Sequence, residues 1–140
     1  MSLYLTVSSE TSLAYFPDNK PYQFKIKLSS EKTFVGLWKV ALLDIVLKDE
    51  EMRGNQLYIY ANICGESFVN GEHGQLLRKV IPYNRNRWSQ EFQVIRYNPV
   101  NKTDITDIEF YIKDYHNNTA SFLIKPVTLT LHFRAYPFLY

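Results

Sequence analysis

Residues 127–135 read VTLTLHFRA, and their strict alternation of apolar and polar side chains is the clearest structural signal in the chain. In an extended strand successive side chains point to opposite faces, so one face of this segment is apolar and the other is polar. The residues predicted to face the core are Val127, Leu129, Leu131 and Phe133. Those predicted to face solvent are Thr128, Thr130, His132 and Arg134. The segment therefore predicts a β-strand that packs one face on a hydrophobic core.

Seven more segments have the alternation, or the β-branched and aromatic content, that is typical of short strands. They are residues 3–8, 22–28, 37–47, 57–63, 78–82, 91–97 and 105–112. No segment shows a convincing helical periodicity. Around Trp38 both faces are apolar, which favours a central strand that is covered on both sides.

The connections between these segments are uneven in length, with short turns near Asn117-Asn118 but a long glycine-containing connection, CGESFVNGEHGQ, at residues 64–75. Long crossings between two sheets favour a jelly roll over an up-and-down barrel, whose hairpins are short. The predicted fold class is all-β, a single jelly-roll β-sandwich of about eight antiparallel strands. No linker or repeat divides the chain, so one domain is expected over residues 1–140.

The composition is that of one globular domain, with 140 residues of which 46% are hydrophobic. The net charge is only +2, and neither sign forms a long run, so no arm for neutralising nucleic acid is indicated. The single Cys64 excludes an intramolecular disulfide, and its place beside a strand predicts an inert, partly buried thiol. The first ten residues lack the features of a signal peptide, and no window has the length of a membrane span. A soluble protein that is not secreted and has no membrane partner is expected.

The residue types that carry catalysis or bind metals do not cluster in the sequence. His73, His116 and His132 are far apart, and we interpret them as two loop histidines and one on the solvent face of the last strand. Ser8 and Ser9 end a strand, where hydroxyls commonly close turns. The remaining candidates are the five glycines, which form no nucleotide fingerprint, and the acidic run Asp49–Glu51, which is typical of a solvated turn. No catalytic, cofactor-binding or metal-ligating residue is predicted, and no cofactor or enzymatic activity is expected.

One stretch, RKVIPYNRNRW at residues 78–88, combines basic and aromatic side chains. Its charged members are Arg78, Lys79, Arg85 and Arg87, and its rings are Tyr83 and Trp88. Such mixtures occur on platforms for single-stranded nucleic acid, and equally in protein interfaces. Because the whole chain carries so little net charge, nucleic-acid binding is disfavoured, and an interface or an exposed loop is preferred.

Four passages, taken in order, carry a resemblance to a known family. They are LYLTVSSETSLAYFPDNKPYQFKIKL at residues 3–28; GLWKVALLDIVL at 36–47, with Gly36, Trp38, Val40 and Leu42 in the matching places; LYIYANI at 57–63 with LLRKV at 76–80; and DIEFYIKD at 107–114 with VTLTLHFR at 127–134. Together they resemble the minor capsid, or penton, protein of Polinton (Maverick) elements and adintoviruses. The sequence departs from that pattern within residues 64–74 and in YNRNRW at 83–88.

The resemblance implies a structural protein whose five copies form the plug at a vertex of an icosahedral capsid. The implied partners are the chain itself, as a homopentamer, and a trimeric major capsid protein with a double jelly roll. The implied location is the virion, after synthesis as a soluble intracellular protein.

Aromatic residues suggest two local roles. We expect YFPDN, residues 15–19, to form a packed corner between the first two strands, with its rings anchoring the turn and Pro17 restricting the backbone. A plain fold corner without any partner is equally consistent with this stretch. Tyr58 and Tyr60, opposite the apolar face of their segment, are expected to add to an aromatic supply larger than one small core needs.

Other classes of protein use similar folds. A carbohydrate-binding, lectin-like jelly roll is the main alternative, because surface Tyr and Trp also stack on sugars. A signalling ligand of the tumour-necrosis type would normally show a membrane anchor or signal. An enzyme ranks third, and bound metal would be the observation in its favour.

Overall fold

The strands follow the alternating segments of the sequence. The structure, a computed structural model, describes residues 2–48, 56–81 and 88–135, without the side chains of Glu31, Lys32 and Trp88. Eleven strands and no helix occur in these three ranges. The strands are β1 (Ser2–Ser8), β2 (Gln23–Thr33), β3 (Trp38–Leu47), β4 (Leu57–Ala61), β5 (Ser67–Val69), β6 (Glu72–Gly74), β7 (Leu76–Val80), β8 (Trp88–Glu91), β9 (Asn98–Pro99), β10 (Asp104–Lys113) and β11 (Val127–Ala135).

The strands form two main sheets. The first sheet has the order β1-β11-β3-β8, with β9 also paired to β3, and the second has the order β2-β10-β4-β7. All pairs are antiparallel, and one set of them is nested along the chain: β1 with β11, β2 with β10, β3 with β8 and β9, and β4 with β7. Two further pairs, β3 with β11 and β4 with β10, join this set into the two sheets. Such nesting is a long hairpin wound into two sheets, which is a jelly roll. The predicted fold class is confirmed.

The hydrophobic core lies between the two main sheets. Val127, Leu129, Leu131 and Phe133 are all buried there, as the alternation in β11 predicts. The largest fully buried side chains from the other strands include Phe24, Phe110, Leu42, Ile45 and Ile59. β2 and β1 lie at the edges of their sheets.

A β-bulge explains why β3 reads as apolar on both faces. Thr130 pairs with Asp44 and Leu131 with Leu42, which leaves Leu43 as the extra residue. The inward positions therefore change from even to odd numbers: Val40 and Leu42 before the bulge, Ile45 and Leu47 after it. The sequence of β3 is therefore apolar at both even and odd positions because the bulge changes which positions point inward, and not because both faces of the strand are equally covered.

The strand predicted for residues 91–97 is wrong. β8 ends at Glu91, and the backbone leaves the sheet until β9. Arg78 of β7 donates from Nη1 to the Val94 carbonyl at 2.7 Å, and its guanidinium lies 3.9 Å from the centre of the buried Phe92 ring. These contacts hold the segment across the edge of the sandwich, so it cannot continue along β3.

The connections lie at two ends of the sandwich. The first end carries the connections 34–37, 62–66 and 100–103, together with Ala135, and the second end carries 9–22 and 114–126. β2 runs five residues past its predicted end, and the predicted strands 57–63 and 78–82 are found at 57–61 and 76–80. The interpretations of Asp49–Glu51, of the arginines at 85 and 87 and of Tyr83 concern residues outside the described ranges.

Candidate interaction surfaces

A hairpin of β5 and β6 occupies the long connection at residues 64–75. Its turn residues Asn70 and Gly71 have φ values of 51° and 85°, both in the left-handed region. Two such residues suit the tight turn that joins antiparallel strands, and Asn-Gly is its strongest sequence signal. The sequence thus contained a signal for this hairpin that the prediction of a plain connection missed.

The hairpin covers part of the outer face of the second sheet. Val69 is buried against Tyr58 and Tyr60, and the ring of Tyr60 stacks on Tyr111 with centroids 4.9 Å apart. A Cβ atom on Gly74 would lie 2.5 Å from the Tyr60 ring, so any other residue there would force the ring or the hairpin to move. Burial, with the neighbouring Tyr111 phenol as a second cause, raises the pKa of Tyr60 to about 12. Tyr58 and Tyr60 are thus buried within their own chain, which corrects the expectation that they add to a surplus of aromatic residues.

Both ends of the hairpin are fixed by hydrogen bonds. At the tip, the Asn70 side chain donates to the Tyr115 carbonyl at 2.9 Å, and the Asn117 side chain donates to the Glu72 carboxylate. At the base, Gly65 donates from its backbone N to the Pro99 carbonyl at 3.0 Å. The hairpin therefore runs from the first end of the sandwich to the second.

Its outward side carries three side chains in contact, Glu66, Phe68 and His73, which we call the hairpin patch. The rings of Phe68 and His73 have centroids 4.3 Å apart, and His73 Nδ1 lies 3.9 Å from Glu66 Oε2. Phe68 is 75% exposed. His73, predicted to lie in a loop, belongs to β6. An apolar ring beside a carboxylate is a surface suited to contact with another protein.

The outer face of the first sheet carries a second aromatic group. Tyr4, His132 and Arg134, with Tyr97 above them, form what we call the open face. Tyr4 stacks on His132 with centroids 4.4 Å apart, and the Tyr97 hydroxyl lies 2.9 Å from His132 Nδ1. The Arg134 guanidinium lies 5.2 Å from the Tyr97 ring centre. In the described ranges no strand covers this face.

The structure corrects the predicted exposure of His132. The residue lies on the outer face of β11, as the alternation predicts, yet only 8% of it is exposed because Tyr4 and Tyr97 cover it. Burial lowers the pKa of His132, and the Arg134 charge acts in the same direction. Among the described residues, none forms a hydrogen bond with its Nε2.

The YFPDN corner is held by side-chain amide and hydroxyl groups more than by rings. Asn19 donates to the Lys25 carbonyl and accepts from the Lys25 N–H, both at 2.9 Å. Ser12 Oγ accepts from the Lys27 N–H at 2.9 Å. Phe16 is half-buried, but Tyr15 is 65% exposed, so the expected ring anchor is wrong for Tyr15. Beside the corner lies an open groove of about 620 Å³, lined in part by Tyr15, Phe16, Tyr22, Gln23 and Glu109.

The other residues that were considered as candidates for catalysis or metal binding are buried, hydrogen-bonded to the backbone or exposed in turns. Cys64 is fully buried, and burial raises the pKa of its thiol to about 12, so it is not a reactive nucleophile. The Ser8 and Ser9 hydroxyls accept hydrogen bonds from the backbone of Glu10 and Val127, and His116 lies in an exposed turn. No three His, Cys, Asp or Glu residues of the described ranges are placed to hold a metal ion. Nor does that part of the chain contain a helix long and apolar enough to cross a membrane.

Sequence comparisons find no matching family model and no matching curated protein. Comparison of the fold finds the crystal structure of mavirus penton protein, with a TM-score of 0.58 over 97% of this chain and 100% of that one. The two sequences are 8% identical, so the likeness concerns the fold. The predicted penton-like fold is thus confirmed: the chain has the fold of a viral penton protein over nearly its whole length.

Proposed function

We propose that the protein is a minor capsid protein of the penton type, related to those of Polinton elements and adintoviruses. The observation that carries the proposal is the shared fold with mavirus penton protein, which spans 97% of this chain and all of that one. Because the aligned region covers nearly the whole of both chains, the likeness concerns the whole jelly roll. Five copies would close a ring at the capsid vertex and contact the major capsid protein of the same virus or element.

The proposed role is structural rather than enzymatic, and it places the protein in the virion. Cys64 and His132 are buried within the chain, while the exposed rings of Tyr4, Phe68 and Tyr115 offer surface for other chains. A ring of single domains has small contacts, and association must overcome the loss of rotational and translational freedom. The isolated protein is therefore expected to be largely monomeric at micromolar concentration.

Co-expression with the matching major capsid protein, followed by electron microscopy of the particles, tests the proposal. Pentameric density at the vertices that matches this jelly roll is the expected result. The control omits this protein, and its particles should lack that density. Particles that close normally without the protein at their vertices, while the protein stays monomeric at high concentration, would contradict a penton role.

A second candidate function is carbohydrate binding, favoured by the groove beside the YFPDN corner. The groove combines the rings of Tyr15 and Tyr22 with the polar groups of Gln23 and Glu109, which are themselves hydrogen-bonded at 3.2 Å. Rings and polar groups at one site are suited to a sugar, which has both apolar and hydroxyl surfaces. A glycan array distinguishes the two functions. Binding that is lost in Tyr15→Ala and kept in Tyr115→Ala would support the groove.

A further inference from the structure

We propose that the hairpin patch of one copy packs on the open face of the next copy, with Glu66 opposite Arg134 and Phe68 opposite Tyr4. The inference rests on the ring proposed above and identifies the two surfaces that form it. In this arrangement the strands run along the axis of the ring.

A closed ring with more than two members needs two different surfaces on each copy, because its contacts are head-to-tail. Those surfaces must lie on different sides of the subunit. The open face is the outer side of the first sheet, and the hairpin patch lies outside the second sheet. The two groups therefore lie on opposite sides of the sandwich.

The two groups also lie at the same height along the strands. Gly65, next to Glu66, donates to the Pro99 carbonyl at 3.0 Å. Pro99 pairs with Lys39, which pairs with Arg134. Glu66 therefore lies near the level of Arg134, at the first end of the sandwich. Rotation about the ring axis preserves height, so this acidic residue meets the basic one of the neighbouring copy.

The exposed rings of Phe68 and Tyr4 also lie at matching heights along the strands. Phe68 lies two residues beyond Glu66 toward the second end, a rise of about 6.6 Å. On the open face, His132 lies two residues from Arg134 in the same direction, and Tyr4 is its register partner. Phe68 and Tyr4 are 75% and 64% exposed, which is unusual for large rings. Contact between them would bury apolar surface from both copies.

The opposite charges and exposed rings of the hairpin patch and the open face therefore indicate that the open face binds a second copy of the chain. Opposite charges at the edge of the contact fix its register, and the aromatic pair lies toward its centre. Two open faces packed about a twofold axis parallel to the strands would instead bring Arg134 near its own equivalent. The pairing of unlike surfaces is therefore favoured over that symmetric dimer.

Thiol cross-linking in particles assembled with the major capsid protein tests the contact. Tyr4→Cys and Phe68→Cys are made separately and combined, and a short bifunctional thiol reagent is applied. Native Cys64 is fully buried and serves as the unreactive background. The double variant should yield a ladder up to the pentamer. Each single variant alone should yield no dimer, while particles built from both single variants should yield dimers.

Charge reversal gives an independent readout in the same particles. Glu66→Lys and Arg134→Glu should each lower vertex occupancy about tenfold or more, because like charges then meet. The two changes in one chain should restore it. Lys102→Glu, an exposed change on the connection 100–103, is the matched control and should have little effect.

The outcomes separate this contact from the function on which it rests. If fivefold density occupies the vertices but no cross-link forms, or if either single variant forms dimers alone, the contact is wrong and the penton role stands. If the wild-type protein never occupies the vertices, both proposals fall. Cross-linking of the mixed variants together with rescue by the double charge reversal would establish the contact.

Discussion

Single residues show where alternation predicts burial and where distant contacts change it. Leu129 and Leu131 are buried as their spacing in β11 requires. His132 follows the same spacing onto the outer face, yet Tyr4 and Tyr97 cover it. Those rings come from β1 and from the β8–β9 connection, so no pattern within the last strand could have indicated them. Alternation predicts the face on which a side chain lies, but not what covers that face.

The burial of His132 predicts a loss of stability in mild acid. Its pKa is lowered in the folded state, so between about pH 6.5 and that lower value the unfolded chain binds more protons. The stabilising effect of neutral His132 is complete above this window and is lost as the pH falls through it. The groups that face His132 are Tyr4 from β1, Tyr97 from the connection and Arg134 from β11.

Urea unfolding at pH 7.5 and at pH 5 measures this effect. The difference in unfolding free energy between the two pH values should be smaller in His132→Phe than in the wild type. His116→Asn, which changes an exposed histidine, is the control and should keep the wild-type difference. An equal pH dependence in His132→Phe and the wild type would contradict the assignment.

The two faces of β11 should respond differently to truncation. Leu129→Ala removes a fully buried side chain and should cost about 2 to 5 kcal/mol. Thr130→Ala removes a half-buried hydroxyl that lies 3.4 Å from that of Thr6, and it should cost no more than about 1 kcal/mol. Denaturation midpoints of the two variants check this. Equal midpoints would show that the faces were assigned wrongly.

At the scale of the element, β5 and β6 form a hairpin that the sequence signalled but the prediction left as a connection. Asn70-Gly71 lies between short β-rich runs, which is the usual mark of a tight hairpin turn. The opposite error concerns residues 91–97, whose alternation is real but whose path is changed by Arg78 of β7. Turn chemistry is local and can be read from the sequence, whereas a cross-sheet hydrogen bond cannot.

Gly74 should be essential for docking the hairpin. Gly74→Ala would place a methyl group 2.5 Å from the ring of Tyr60, which is held by its stack on Tyr111. Relief of this overlap requires the hairpin to move, at a cost of about 1 to 3 kcal/mol. Thermal unfolding and hydrogen exchange of residues 67–74 measure the two effects.

Gly65→Ala is the matched control for this test. The nearest atoms to its added methyl group lie 3.9 Å away, at ordinary contact distance. It should therefore change neither the melting temperature nor the exchange of the hairpin appreciably. Equal behaviour of the two alanine variants would mean that the hairpin does not depend on close approach to Tyr60.

For the whole molecule, the number of strand-like segments and the uneven, partly long connections between them were enough to predict a jelly roll, because long crossings between two sheets are typical of that fold. The candidate contact surfaces could not be predicted in the same way. The hairpin patch joins Glu66 to His73 across a turn, and the open face joins Tyr4 to His132 across most of the chain. Surfaces of this kind form because the pairing register of the strands places distant residues side by side. That register could not be predicted from the sequence alone.

The folded domain should not depend on a metal ion or a disulfide. A solitary buried Cys64 and dispersed histidines give no physical reason for either dependence. A chelator and a reductant, added separately, should each leave the melting temperature unchanged. A decrease of several degrees with the chelator would contradict this and favour a metal-binding function.

The edge of β2 has a consequence for how copies of this chain meet at high concentration. An edge strand is a template on which strands from other molecules can add, and unchecked addition leads to fibrils. At Lys25, the side-chain amide of Asn19 already takes both the donor and the acceptor position that an incoming strand would use, and Ser12 takes the donor at Lys27. The corner between the first two strands thus acts as a built-in stop against aggregation over this part of the edge, so that copies can crowd together without merging their sheets there.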